Sequence, residues 1–140
     1  LSNALELYLE RYAEPNIAGL SKIGDVKDIL ESFYHSYLVP NEKHPPGCFI
    51  VHVATEMADH NPEIKSYLER YLNKIEKAIA MLLENNSFNH EDAKLARKFT
   101  TLFCYIMVFC VIRSPEEQSR VLKNEMNLIL NKTYSNAEKA

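Results

Sequence analysis

The fifth helical segment of the chain decides the fold, and residues 94–112 of it read KLARKFTTLFCYIMVFCVI. At about 100° per residue, Leu95, Phe99 and Leu102 form one apolar stripe in its first half, with basic side chains opposite. In the second half the opposite side also becomes apolar, through Cys104, Tyr105, Val108 and Ile112. A helix that is apolar all round must be covered on every side. The segment therefore predicts a helical domain with a further layer of structure beside this helix.

Six segments in all carry helical periodicity or helix-capping residues, and none alternates like a strand of a sheet. Pro15 is expected to end the first helix, and Asn61 and Ser114 are expected to cap the fourth and the sixth. The predicted fold class is therefore all-α, with a polar, frayed tail at residues 132–140. The predicted helices cover residues 2–14, 25–39, 47–59, 62–84, 91–113 and 115–131.

Composition and charge favour one globular domain without direct contact to nucleic acid. The chain has 140 residues, a net charge of -3 and no run of Lys or Arg, whereas a phosphate-binding surface is basic. Three scattered cysteines do not make a disulfide framework. The longest apolar run, residues 102–112, is well short of the ~20 residues that span a bilayer. We therefore expect a cytoplasmic protein. Because Leu1 lies inside a helical pattern, we also expect a segment to precede it.

Residues 47–64, GCFIVHVATEMADHNPEI, resemble a stretch in the regulatory domains of TetR-family transcriptional regulators. The shared pattern is a Gly-Cys pair, an apolar run, an Ala-x-Glu-apolar-Ala segment and an Asn-Pro helix start. The first helix, around residues 5–12, and the tight Ser114-Pro115 turn between the last two helices are similar too. The resemblance thus covers nearly the whole chain.

The resemblance implies a six-helix orthogonal bundle of the TetR regulatory type, with residues 1–140 as one effector-binding and dimerisation domain. Residues 1–14 would end a helix that connects to a DNA-binding helix-turn-helix head, which has no counterpart in this sequence. Operator DNA would be contacted only through that head, and a small-molecule effector would change the spacing of two heads. The implied function is a ligand-responsive regulator of the repressor type. Neither an enzymatic activity nor a cofactor is expected.

The excess apolar width of the last two helices predicts a symmetric dimer. Paired with their copies, these helices would form a four-helix bundle, and twofold symmetry is the commonest way to close such a contact. Burying four such side chains per subunit offers on the order of 6–12 kcal/mol before the costs of association. The alternative is that the neighbours within one chain wrap the fifth helix. The predicted interface residues are Cys104, Tyr105, Val108, Ile112, Val121, Leu122, Met126 and Ile129.

The third helix carries the polar part of a candidate effector pocket. His52 and Glu56 share one sector of it and could hydrogen-bond an effector. The alternative is that this sector faces solvent, as polar sectors usually do. The aromatic side chains expected to line the apolar part of the pocket are Phe33, Tyr37, Tyr71, Phe99 and Phe103.

Two other hypotheses accompany the regulator. One is a freestanding helical dimer that is structural or binds proteins, and the sequence upstream of Leu1 would separate it from the regulator. The other is a small metalloenzyme that uses His52, Glu56 and His60, which have i, i+4, i+8 spacing. The sequence lacks a tetrahedral Cys/His pattern, a nucleophile elbow and a phosphate-binding glycine loop, so we predict neither a metal site nor catalytic residues. Nothing adjacent marks Cys48 as a reactive thiol, which favours an inert cysteine over an oxidant sensor.

Overall fold

Helices make up the described part of the protein. The computed structural model describes residues 2–38, 47–57, 59–86, 92–110 and 112–139, and no β-strand occurs among them. The prediction of an all-α fold is confirmed. The elements are α1 (Ser2–Tyr8), a π-helical turn (Leu9–Ala13), α2 (Glu14–Ala18), α3 (Val26–Leu38), α4 (Phe49–Met57), α5 (Pro62–Asn85), α6 (Asp92–Phe109) and α7 (Pro115–Lys139).

The first helical segment, Ser2–Ala18, runs through Pro15, so the prediction that it ends there is wrong. A proline inside an α-helix loses one hydrogen bond, and its ring collides with the carbonyl four residues earlier. Here the turn before Pro15 is π-helical, and the Glu14 N–H donates to the Leu9 carbonyl, five residues back. Pro15 then lies in the first turn of α2, where a missing N–H costs little.

Side-chain caps start three of the helices where the sequence predicts. Asn61 Oδ1 accepts from the backbone N–H groups of Glu63 and Ile64, at 3.1 and 3.3 Å, and so begins α5. Asp25 Oδ1 accepts from the Asp28 N–H at 3.0 Å, before α3. Ser114 Oγ accepts from the Glu117 N–H at 3.2 Å, before α7. These local signals fix the helix starts independently of packing.

The core forms where α5 and α6 pack against each other, with α4 across both of them. The first helical segment packs on α3, α4 and α5, and α7 packs on α3 and α6. The predicted apolar stripe of α5 is confirmed, since Ile64, Tyr71 and Ile79 are buried. No helix in the described ranges is both long and apolar enough to cross a bilayer.

The last two helices end elsewhere than predicted. Helix α6 ends at Phe109, before the predicted end near Arg113, and the chain then turns through residues 112–114. Helix α7 continues past the predicted end at Asn131 as far as Lys139. The sequence after Asn131 holds no proline or glycine that would stop it.

Candidate ligand site

Four of the predicted pocket aromatics meet around one ring, that of Phe103. Its centroid lies 5.5 Å from that of Phe33, 5.2 Å from that of Tyr37 and 6.3 Å from that of Tyr71. All four side chains are buried and come from α3, α5 and α6. We call these four rings the aromatic cluster. The sequence therefore predicted which rings share one place, while their contact with a ligand stays a prediction.

Phe99 and Tyr34 extend the buried region by one helical turn. Phe99 is fully buried on α6, and its backbone carbonyl accepts a hydrogen bond from Tyr34 Oη at 2.5 Å. The Tyr34 ring stacks on Phe103 at 5.8 Å between centroids. Sequence analysis did not select Tyr34, although its position in the apolar face of α3 placed it beside Phe33.

The polar residues predicted on α4 do not reach the aromatic cluster as expected. Ile50 and Ala54 face the core, whereas Glu56 is exposed, because it lies about 200° round the helix from Ala54. For Glu56 the alternative interpretation, a solvent-facing sector, is the one that agrees with the structure. His52 is half-buried, and its Nε2 lies against Gly47, where an added Cβ would come within 2.4 Å of it.

Gly47 holds the turn before α4 in a conformation that other residues rarely adopt. Its φ is +102°, and its N–H donates to the Tyr37 carbonyl at 2.7 Å. This bond ties the start of α4 to the end of α3, next to the aromatic cluster. The Gly-Cys pair at residues 47–48 is therefore required by backbone geometry.

Replacing Gly47 by alanine is expected to lower the free energy of unfolding by about 1–3 kcal/mol, since positive φ strains an L residue and the new Cβ meets His52. Urea denaturation at one fixed protein concentration measures the loss. The double variant Gly47→Ala with His52→Ala is expected to recover only the steric part, because the backbone strain remains. A loss below about 0.5 kcal/mol for Gly47→Ala would contradict this account of the turn.

A chain of hydrogen bonds links the thiol at the start of α4 to two phenols. Cys48 Sγ donates to Tyr71 Oη at 3.6 Å, and Tyr71 Oη donates to Tyr37 Oη at 2.7 Å. All three side chains are fully buried. The hydroxyl edge of the aromatic cluster thus faces α4 and the first helical segment.

Two tyrosines of the first helical segment complete this edge. The Tyr12 ring meets the Tyr37 ring edge-on at 5.5 Å, and Tyr12 Oη donates to the Ser36 carbonyl. The Tyr8 ring lies 5.3 Å from that of Tyr12 and 5.6 Å from that of Phe49. The signal that could have found Tyr8 and Tyr12 is their spacing of four residues on one helical face.

Burial keeps these groups in their neutral forms. It raises the pKa of Tyr8, of Tyr37 and of Tyr71 above the ordinary value for a phenol. Burial also raises the pKa of the Cys48 thiol, against the smaller opposing effects of the Val51 N–H and the Tyr71 hydroxyl. A thiol held in this way is a poor nucleophile, which favours the inert interpretation of Cys48.

The predicted dimer residues fall into two groups. On α6 and just after it, Tyr105, Val108 and Ile112 are 41%, 39% and 70% exposed, so the chain's own neighbours do not cover this face. On α7, Leu122 and Met126 are fully buried in the subunit and have no surface to offer a second copy. Cys104, Val121 and Ile129 are half-buried, and Leu128, which was not predicted, is 62% exposed.

Arg113 borders the exposed apolar face. Its guanidinium carbon lies 4.6 Å from the Phe109 ring centroid and 5.4 Å from that of Tyr105. Its Nη2 donates to Tyr105 Oη at 3.2 Å. These contacts fix the Tyr105 ring in an outward position at the edge of the face.

No metal-binding group of three His, Cys, Asp or Glu side chains occurs within the described ranges. His52, Glu56 and His60 accordingly do not converge on one point, despite their spacing in sequence. Comparison of the chain with protein-family models, with curated proteins and with solved structures finds no match.

Proposed function

We propose that this chain is the effector-binding and dimerisation domain of a ligand-responsive transcriptional regulator of the TetR type. The observation that carries the proposal is the contact between the first helical segment and the aromatic cluster, made by Tyr12 on Tyr37. In the regulator, the DNA-binding head joins this segment. A ligand at the aromatic cluster then favours one position of the segment and so one spacing of two heads.

The dimer in this proposal uses the exposed apolar face of α6. Tyr105, Val108 and Ile112 pair with their copies, and Leu128 and the half-buried side chains of α7 border them. The interface is narrower than the sequence alone predicted, because Leu122 and Met126 belong to the core of the subunit. A four-helix bundle of α6 and α7 with their copies would still cover the face.

Sequencing the coding region upstream of Leu1 tests the regulator directly. The proposal expects a basic helix-turn-helix segment of about fifty residues there, because such a head has to supply the positive charge that this acidic domain lacks. A start codon close to Leu1 would contradict the regulator. The second candidate, a freestanding helical dimer, would then be favoured, because the exposed face of α6 needs a partner in either case.

A further inference from the structure

Two buried polar atoms beside the aromatic cluster make no hydrogen bond with any described residue, Tyr8 Oη and Asn16 Nδ2. Both belong to the first helical segment. Buried polar groups in folded proteins nearly always have a partner, and an unpaired one destabilises the fold. Two of them in one place indicate that something outside the chain pairs with them.

The two atoms lie around the same phenol, that of Tyr37. Burial raises the pKa of Tyr8, and electrostatic interaction with Cys48 and Tyr37 adds to that rise, which places the three groups together. Burial also raises the pKa of Tyr37, and a nearby Asn16 amide opposes that rise. One small guest molecule next to Tyr37 is therefore within reach of both atoms.

The π-helical turn explains why residues so far apart share one side. In an ideal α-helix, residues eight positions apart, such as Tyr8 and Asn16, drift by about 80° round the axis. The wider turn at Leu9–Ala13 lies between them and reduces the rotation per residue. Tyr8, Tyr12 and Asn16 consequently all face the aromatic cluster. Single π turns of this kind occur frequently at functional sites.

The surroundings define the chemistry of the guest. The groups around the two atoms are Tyr12, Tyr37 and Cys48, and burial raises the pKa of each, so all of them are neutral near pH 7. A charged guest would lose its hydration with no opposite charge in return. The unpaired hydroxyl and amide N–H groups can both donate, so a guest has to accept. The flanking rings of Tyr8 and Phe49 favour an apolar body.

We propose that this site binds a small uncharged molecule whose carbonyl or ether oxygen accepts hydrogen bonds from Tyr8 Oη and Asn16 Nδ2. The inference rests on the proposed function and names its effector class. The ligand enters between α1 and α4, where Tyr8 is half-buried and Phe49 is exposed. By bridging the first helical segment to α3 and α5, it holds that segment against the aromatic cluster.

The test uses cyclohexanone as the probe, in a ligand-detected NMR titration of the purified protein. The expected dissociation constant is about 1–10 mM, typical of so few atoms. Cyclohexanecarboxylate and cyclohexylammonium carry the same ring with a charge, and both are expected to bind at least tenfold more weakly. In Tyr8→Phe, which lacks one donor, the affinity for cyclohexanone is expected to fall roughly threefold to tenfold.

Tyr67→Phe is the matched control, because the Tyr67 hydroxyl donates to Glu6 Oε1 at 2.6 Å, away from the two unpaired atoms. It is expected to leave the affinity for cyclohexanone unchanged. Without a probe, Tyr8→Phe is expected to be at least as stable as the wild type, since it removes an unpaired buried atom, so misfolding does not obscure the result.

Three results would overturn the assignment: no binding of cyclohexanone up to about 50 mM, equal binding of a charged analogue, or full affinity in Tyr8→Phe. Each result leaves the regulator proposal standing if a helix-turn-helix segment lies upstream of Leu1. Conversely, if that segment is missing, the cyclohexanone result still reports on the site alone.

Discussion

Replacing Val108 and Ile112 together by glutamate is expected to turn the dimer into a monomer. Both side chains are exposed in a single subunit, so the new carboxylates do not disturb its core. At a twofold interface they would place four negative charges in one apolar layer, and burying an unpaired charge costs several kcal/mol. The dissociation constant is expected to rise at least about a thousandfold, or about 4 kcal/mol. Sedimentation equilibrium over a range of protein concentrations measures it.

The matched control adds the same two charges to exposed apolar side chains elsewhere. Ile23 in the turn before α3 and Met81 on α5 are 81% and 59% exposed, and Ile23→Glu with Met81→Glu is expected to leave the dimer intact. Circular dichroism should show the same helix content in both double variants. An unchanged dimer in the Val108 and Ile112 variant would mean that another face pairs the subunits. A wild-type protein that stays monomeric at high concentration would also refute the dimer.

Replacing Phe103 by alanine is expected to cause the largest loss of stability of any single substitution discussed. The ring is fully buried and has centroid distances of 5.2–6.3 Å to Phe33, Tyr34, Tyr37 and Tyr71. Removing it loses the transfer free energy of the ring and leaves a cavity between α3, α5 and α6. Losses of about 3–5 kcal/mol follow from such changes. Urea denaturation measures the difference at a single protein concentration, because dimerisation contributes to the apparent stability.

Two further variants separate the cavity from other effects of Phe103→Ala. Phe103→Leu keeps most of the volume and is expected to cost about 1–2 kcal/mol. Phe49→Ala removes the same ring from a residue that is 37% exposed, and a loss of about 1 kcal/mol or less is expected there. If Phe103→Ala costs no more than Phe49→Ala, the aromatic cluster does not have the packing described.

Local signals explain how much of the fold the sequence predicted. The starts of α5 and α7 follow from Asn61-Pro62 and Ser114-Pro115, since a cap and a proline act within one turn. The rings of Phe33, Tyr37 and Phe103 met because each lies on the apolar face of its own helix. Pro15 was misjudged for the same reason: the rule for proline assumes α-helical geometry, and the π turn before it changes that geometry.

The remaining differences depend on which neighbour a helix meets, and no local pattern contains that information. Helix α7 has an apolar stripe wider than one contact needs, and packing on α3 and α6 takes up Leu122 and Met126. The periodicity that singled them out cannot tell a subunit core from an interface. Glu56 likewise shares a sector with His52, but the roll of α4 about its axis leaves Glu56 in solvent.

The tyrosine positions have a practical consequence for spectroscopy. The chain has no tryptophan and eight tyrosines, so tyrosine dominates its near-ultraviolet absorption and emission. Five of the eight, at positions 8, 12, 34, 37 and 71, are in or next to the aromatic cluster. Most of the optical signal therefore originates in one small region, without any attached dye. A displacement of the first helical segment against α3 changes the surroundings of those chromophores, and near-ultraviolet circular dichroism records it directly.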